Sequence, residues 1–183
     1  MPTTRQPFNV LILYDGVHSS DSAMRTYNRL RQRFDKTYSF HVKIWRFDML
    51  GLASCAQWAG RDAGHADLMI VATEGDPTTL DSFKAWTAHW TTKPNRERAM
   101  AALFLDQPEG SAAEQYKDWQ EFLHDLCARA GMDLIASRVK RENDNPIDPT
   151  VVRLLPEVPH RHSTKGGSGA SRPLPHRRWG INE

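Results

Sequence analysis

Two of the stretches of this chain that are apolar without interruption are Leu68-Met69-Ile70-Val71-Ala72 and Ala99–Leu105, AMAALFL. A strand with one wet face alternates apolar and polar residues. A strand covered on both faces has no reason to, and that happens chiefly inside a parallel sheet sandwiched by helices. Each run ends in acidic turn residues. Thr73-Glu74-Gly75-Asp76-Pro77 follows the first, and Asp106-Gln107-Pro108-Glu109-Gly110 follows the second. Gly supplies unusual dihedrals there and Pro removes a backbone donor, so the strand stops.

Helical spacing resumes after each turn. Leu80, Phe83, Trp86 and Trp90 recur along one stripe, with Thr78 and Asp81 predicting a capping-box start. Ser111-Ala112-Ala113-Glu114 predicts a second capping box. It opens a helix that carries Tyr116, Trp119, Leu123, Leu126 and Cys127 and ends at Gly131. Upstream, Phe8–Tyr14 reads as a first strand, and Asp15–Ser22 as a polar loop entering a helix with Ala23, Tyr27, Leu30 and Phe34 inward. Tyr38–Phe47 alternates, which predicts an edge strand. Ser54-Cys55-Ala56-Gln57 predicts the start of a short helix running to about Gly64, and Asp133–Val139 a fifth strand.

Five strands interleaved with about four helices form a βαβ series, and right-handed crossovers then imply a three-layer α/β sandwich. With the alternating strand at the edge, the sheet order is 2-1-3-4-5, and the chain reverses direction between the first and third strands. At 183 residues the chain accommodates one such domain, residues 1–140, and a C-terminal extension, residues 141–183. The extension is rich in Gly, Ser and Pro. Val158–Glu183 holds five Lys or Arg against one Glu, so the formal net charge of +2 for the whole chain conceals a mildly acidic body. No apolar run is long enough to span a membrane and no signal region precedes the first strand, so the expected location is cytoplasmic. Cys55 and Cys127 have no metal-like spacing and read as reduced, buried thiols.

A crevice outside the carboxyl ends of the strands would be lined by the first and third turns. Ser19, Ser20 and Ser22 lie where the free N–H groups of a helix start converge, which suits a phosphate or carboxylate; plain helix capping explains them as well. Asp15 and Asp21 oppose an anion there. Thr73, Glu74, Gly75 and Asp76 line the other wall, Gln107 the next turn, and His18 is the histidine beside the crevice. Asp15, Glu74 and Asp76 together suit a divalent cation or one raised carboxyl pKa, but turn-forming carboxylates account for them, and no metal site is expected. The chain has no G-x-S-x-G elbow, Walker A loop or G-x-G-x-x-G. Trp86, Trp90 and Trp119 read as core, and Trp45 and Trp58 as lying near layer edges.

The segment ADLMIVATEGDPTTLDSFKAWTAHW resembles the corresponding part of the NADPH-dependent FMN reductases, which belong to the flavodoxin-like proteins. In that group a strand enters a P-E-Y-N-type loop, then Pro, then L-K-x-x-x-D-W. The comparable pieces here are Thr73-Glu74-Gly75-Asp76, Pro77, and Phe83-Lys84 leading to Trp86 and Trp90. Ser19, Ser22 and Asn28 echo the S-x-R-x-x-S-x-N loop that holds the flavin phosphate. Gly75 and Asp76 stand where the family's Tyr and Asn meet the flavin ring, and Asp106–Gly110 stands in place of a Gly-rich loop.

The resemblance implies a flavodoxin-like fold with FMN as the cofactor, and two functions follow. One is a non-catalytic association or regulatory domain, either homodimeric or holding a protein partner through the tail, whose RRWGINE end is expected to dock. The other is an FMN-binding, NAD(P)H-dependent flavin or quinone reductase. Nucleic acid is disfavoured, because the basic character is confined to the tail.

Overall fold

The computed structural model describes residues 5–88, 90, 98–105 and 116–139. Its five strands are β1 (Gln6–Tyr14), β2 (Tyr38–Arg46), β3 (Leu68–Thr73), β4 (Ala99–Leu105) and β5 (Asp133–Val139). They form one parallel sheet in the order β2-β1-β3-β4-β5, which is the flavodoxin-like arrangement. Among the described residues the α-helices are α1 (Val17–Phe34), α2 (Ala53–His65), α3 (Pro77–Thr87) and α4 (Lys117–Ala130), and a 3-10 turn spans Phe47–Gly51.

Every residue of β3 and β4 is buried, as their unbroken apolar sequences require. The in-register set Ile12, Ile70, Ala101 and Ile135 faces α1, packing with Ala23, Tyr27 and Leu30. The alternate set, with Leu13, Val71, Ala102 and Phe104, faces α2, α3 and α4. Phe47, Phe83 and Trp119 form a triangle there, with ring centroids 5.4 to 5.5 Å apart. Trp86 joins α3 to α2 by donating its indole N–H to the Ala56 carbonyl at 3.1 Å, and Trp90 stacks on it. These tryptophans are core, as their spacing implies. Trp58 is exposed, and half-buried Trp45 donates to Asp62 of α2.

β2 is the edge strand, with mostly half-buried and exposed residues. Gly131 ends α4 with φ 62°, a left-handed conformation that favours glycine. Three helix starts differ from expectation. α1 begins at Val17, so the first polar loop is only Asp15-Gly16, and Ser19, Ser20 and Ser22 lie inside the helix. The residue capping α2 is Leu52 rather than Ser54, and it makes no side-chain bond. α3 is capped by Asp76, whose Oδ1 accepts from Thr78 N at 2.8 Å, with Pro77 in the first turn; Thr78 is not the cap. Propensity at a cap is worth about 1 kcal/mol. At Leu52 the packing of the buried helix face outweighs that, whereas Asp76 is itself a preferred cap, ranked above Thr. The Ser111–Glu114 box and the extension 141–183 lie outside the described residues. Among the described residues no helix is long and apolar enough to cross a membrane.

Candidate functional site

β1 and β3 are neighbours, with Tyr14 paired to Ala72, so the turns that follow them emerge side by side. Asp15 from the first turn reaches the second. Its carboxylate accepts from Thr73 Oγ1 at 2.6 Å and from Glu74 N at 2.8 and 3.0 Å, and also from Ser19 Oγ at 2.7 Å. Thr73 is fully buried, and its hydroxyl in turn accepts from Gly75 N at 2.9 Å. Gly75 has φ 87°, which only glycine adopts freely and which turns the chain toward α3.

Glu74 reaches the opposite way. Its Oε1 accepts from the backbone N–H groups of His18 at 3.2 Å and Ser19 at 3.3 Å, two donors in the first turn of α1 that have no partner within the helix. The positive end of the helix dipole favours the same placement. Gly16 leaves room for this carboxylate, since a Cβ there would lie 2.2 Å from Glu74 Oε1. Gly16 N donates to Ser19 Oγ at 2.8 Å, closing the N-terminal turn. The two turns are thus cross-latched: each contributes a carboxylate that accepts the other turn's backbone donors.

The residues expected at the crevice divide accordingly. Asp15, Ser19, Thr73, Glu74 and Gly75 come together, and His18 joins them through its backbone while its side chain stays exposed. Ser20 is half-buried in α1, and its N–H bonds Gly16 O at 3.0 Å. Ser22 faces inward at 5% exposure and accepts from Arg25 Nη2, away from the latch. Asp76 is spent capping α3, so Asp15, Glu74 and Asp76 do not converge on a common point. Among the described residues no group of three or more His, Cys, Asp or Glu is arranged to hold a metal ion. Gln107 lies outside the described residues.

Gly16 is the site residue that sequence reasoning passed over; its only signal was an Asp-Gly pair at the end of an apolar strand. Neither cysteine belongs to the crevice. Burial, reinforced by the charge of Asp133, pushes the Cys127 thiol up to about 12, so it is no nucleophile at neutral pH. Cys55 is half-buried in α2.

No protein-family model matches the chain, and no curated protein matches it. It is similar to the crystal structure of Smu.1420 from Streptococcus mutans UA159, at 10% identity over 80% of this chain and 95% of that chain, with a TM-score of 0.48. The flavodoxin-like assignment rests on the strand order itself.

Proposed function

We propose that this chain is a flavodoxin-like module without a catalytic role, acting by protein association, and that its crevice is held closed by its own side chains. The observation that carries this reading is the Glu74 carboxylate on the His18 and Ser19 amides. A ligand phosphate at this helix start would use those same donors. Of the nearby hydroxyls, those of Ser19 and Thr73 already donate to Asp15, whose negative charge would face the phosphate. FMN fits poorly beside these residues, because Asp76 caps α3 and Gly75 has no side chain to meet a ring. On this reading the extension 141–183 supplies a charged segment for a partner.

The absorbance spectrum of the purified protein, followed by titration with FMN, tests the proposal. The expected result is no visible flavin bands and no quenching of added FMN. Stoichiometric uptake of FMN by the unaltered chain would reinstate a reductase of the NADPH-dependent FMN group, with Ser19, Ser20 and Ser22 at the phosphate. It would require Glu74 to vacate the helix start.

A further inference from the structure

Among the described residues, large apolar side chains are exposed at few places, and these are not scattered. Of the five among the described residues, Ile44 (45% exposed), Met49 (36%), Leu52 (54%) and Trp58 (59%) come from one short stretch, residues 44–58; the fifth is Val17. That stretch is the end of the edge strand, the 3-10 turn and the start of α2. All four lie on the edge strand or on the turn and helix that follow it directly.

They fall on both sides of the sheet edge. Ile44 shares a face with Phe40 and Val42, which pack on the α1 side. On the other face Trp45 bonds Asp62 of α2, and Trp58, one helical turn before Asp62, shares that flank with Arg61 stacked 5.5 Å over its ring. Between the two faces runs the outer edge of β2. Over all nine residues β2 pairs with β1 and, among the described residues, with no other strand. It contains no Pro and no Gly, and its nine-residue pairing with β1 is unbroken. A long, regular edge of this kind is a template for another strand.

We infer that two copies of this chain pair antiparallel through β2, joining their sheets into one continuous sheet of ten strands. The strand's own sequence selects a second copy as the occupant. Antiparallel partners across a two-fold axis must share a face, so the axis passes through a residue. Only Val42 as centre lets all nine residues pair. Phe40 then meets Ile44 of the other copy, Val42 meets Val42, and Ser39 meets Trp45. Apolar residues face each other on the α1 side, at the cross-strand separations where such pairs stabilise a sheet. Directly opposite, no charged residue meets its own kind: Lys43 meets His41, and Arg46, already paired with Asp48, meets Tyr38, while the two Lys43 are diagonal neighbours. This association does not depend on what the crevice holds.

The test compares sedimentation velocity of the full chain, Ile44→Lys and a chain lacking His160–Glu183 across a concentration series. Lysine is chosen because it would put a charge opposite the apolar Phe40, on the strand face that already carries Arg46. At 45% exposure it leaves the monomer's core intact, which circular dichroism checks. The expected outcome is a reversible dimer for the full chain and for the tail deletion, with Ile44→Lys weakened roughly tenfold or more. In the full chain the β2 amides should gain hydrogen-exchange protection as concentration rises. A full chain that stays monomeric at hundreds of micromolar overturns the inference. A dimer untouched by Ile44→Lys, or one abolished by deleting the tail alone, overturns it equally and assigns association elsewhere.

Discussion

Replacing Asp15 by Ala removes the acceptor shared by three donors, Ser19 Oγ, Thr73 Oγ1 and Glu74 N. Hydrogen bonds to a charged group contribute about 1.5–3 kcal/mol each. The three share one half-buried carboxylate, however, and water can reach the exposed part of the gap. Thr73 is fully buried, so its hydroxyl is the donor least able to find water. A net loss of about 2–4 kcal/mol is therefore expected, well below the simple sum. For a chain of this size that corresponds to a fall in Tm of roughly 5–15 °C.

Urea unfolding, followed by the fluorescence of buried Trp86 and Trp119, measures the loss; the denaturant slope should stay unchanged. A double-mutant cycle with Thr73→Val should give a coupling of about 1 kcal/mol or more between the two sites. A midpoint for Asp15→Ala equivalent to less than about 0.5 kcal/mol of destabilisation, or additive single and double mutants, would show that the latch contributes nothing and refute the reasoning.

Further expectations follow from neighbouring contacts. Gly16→Ala places a Cβ where the Glu74 carboxylate sits, and the flexible Glu74 side chain should swing away. Gly16→Ala and Glu74→Ala should each cost about 0.5–1 kcal/mol, and the double variant no more than the larger single, in chemical denaturation. Gly131→Ala meets open space but must hold φ 62°, so a cost of about 1–2 kcal/mol is expected, smaller for Gly131→Asn. Because the Cys127 pKa rises on folding from 9.0 to about 12, the folded chain keeps a proton that the unfolded chain releases. Stability should be unaffected below about pH 9 and decline from there toward pH 12, and Cys127→Ala should remove that part of the slope. At pH 8 a thiol reagent should modify Cys55 in the native protein and reach Cys127 only on unfolding.

The flavodoxin-like fold was legible because its signals are local and repeated. Unbroken apolar runs at β3 and β4 require cover on both faces, and the alternation of β2 places it at the edge. Strand order follows from the crossover rule once those positions are set. Helix starts were less legible. Ser54 has the right side chain for capping, yet Leu52 holds that position, because a cap's small preference yields to the packing of the helix face; at α3 two capping side chains stand two residues apart, and Asp76 is taken over Thr78.

The amino-acid order alone thus determined that the Asp15 and Thr73–Asp76 turns would share one rim of the sheet, since each of them directly follows an interior strand. What those side chains do at the rim was a tertiary decision. Asp15 and Glu74 are 59 positions apart, and their crossed bonds exist because β1 and β3 lie side by side in a fixed register. Sequence spacing carries no information about a reach of a few ångströms between segments so far apart. Only the folded sheet brings the Glu74 carboxylate to the two helix amides that a ligand would otherwise use.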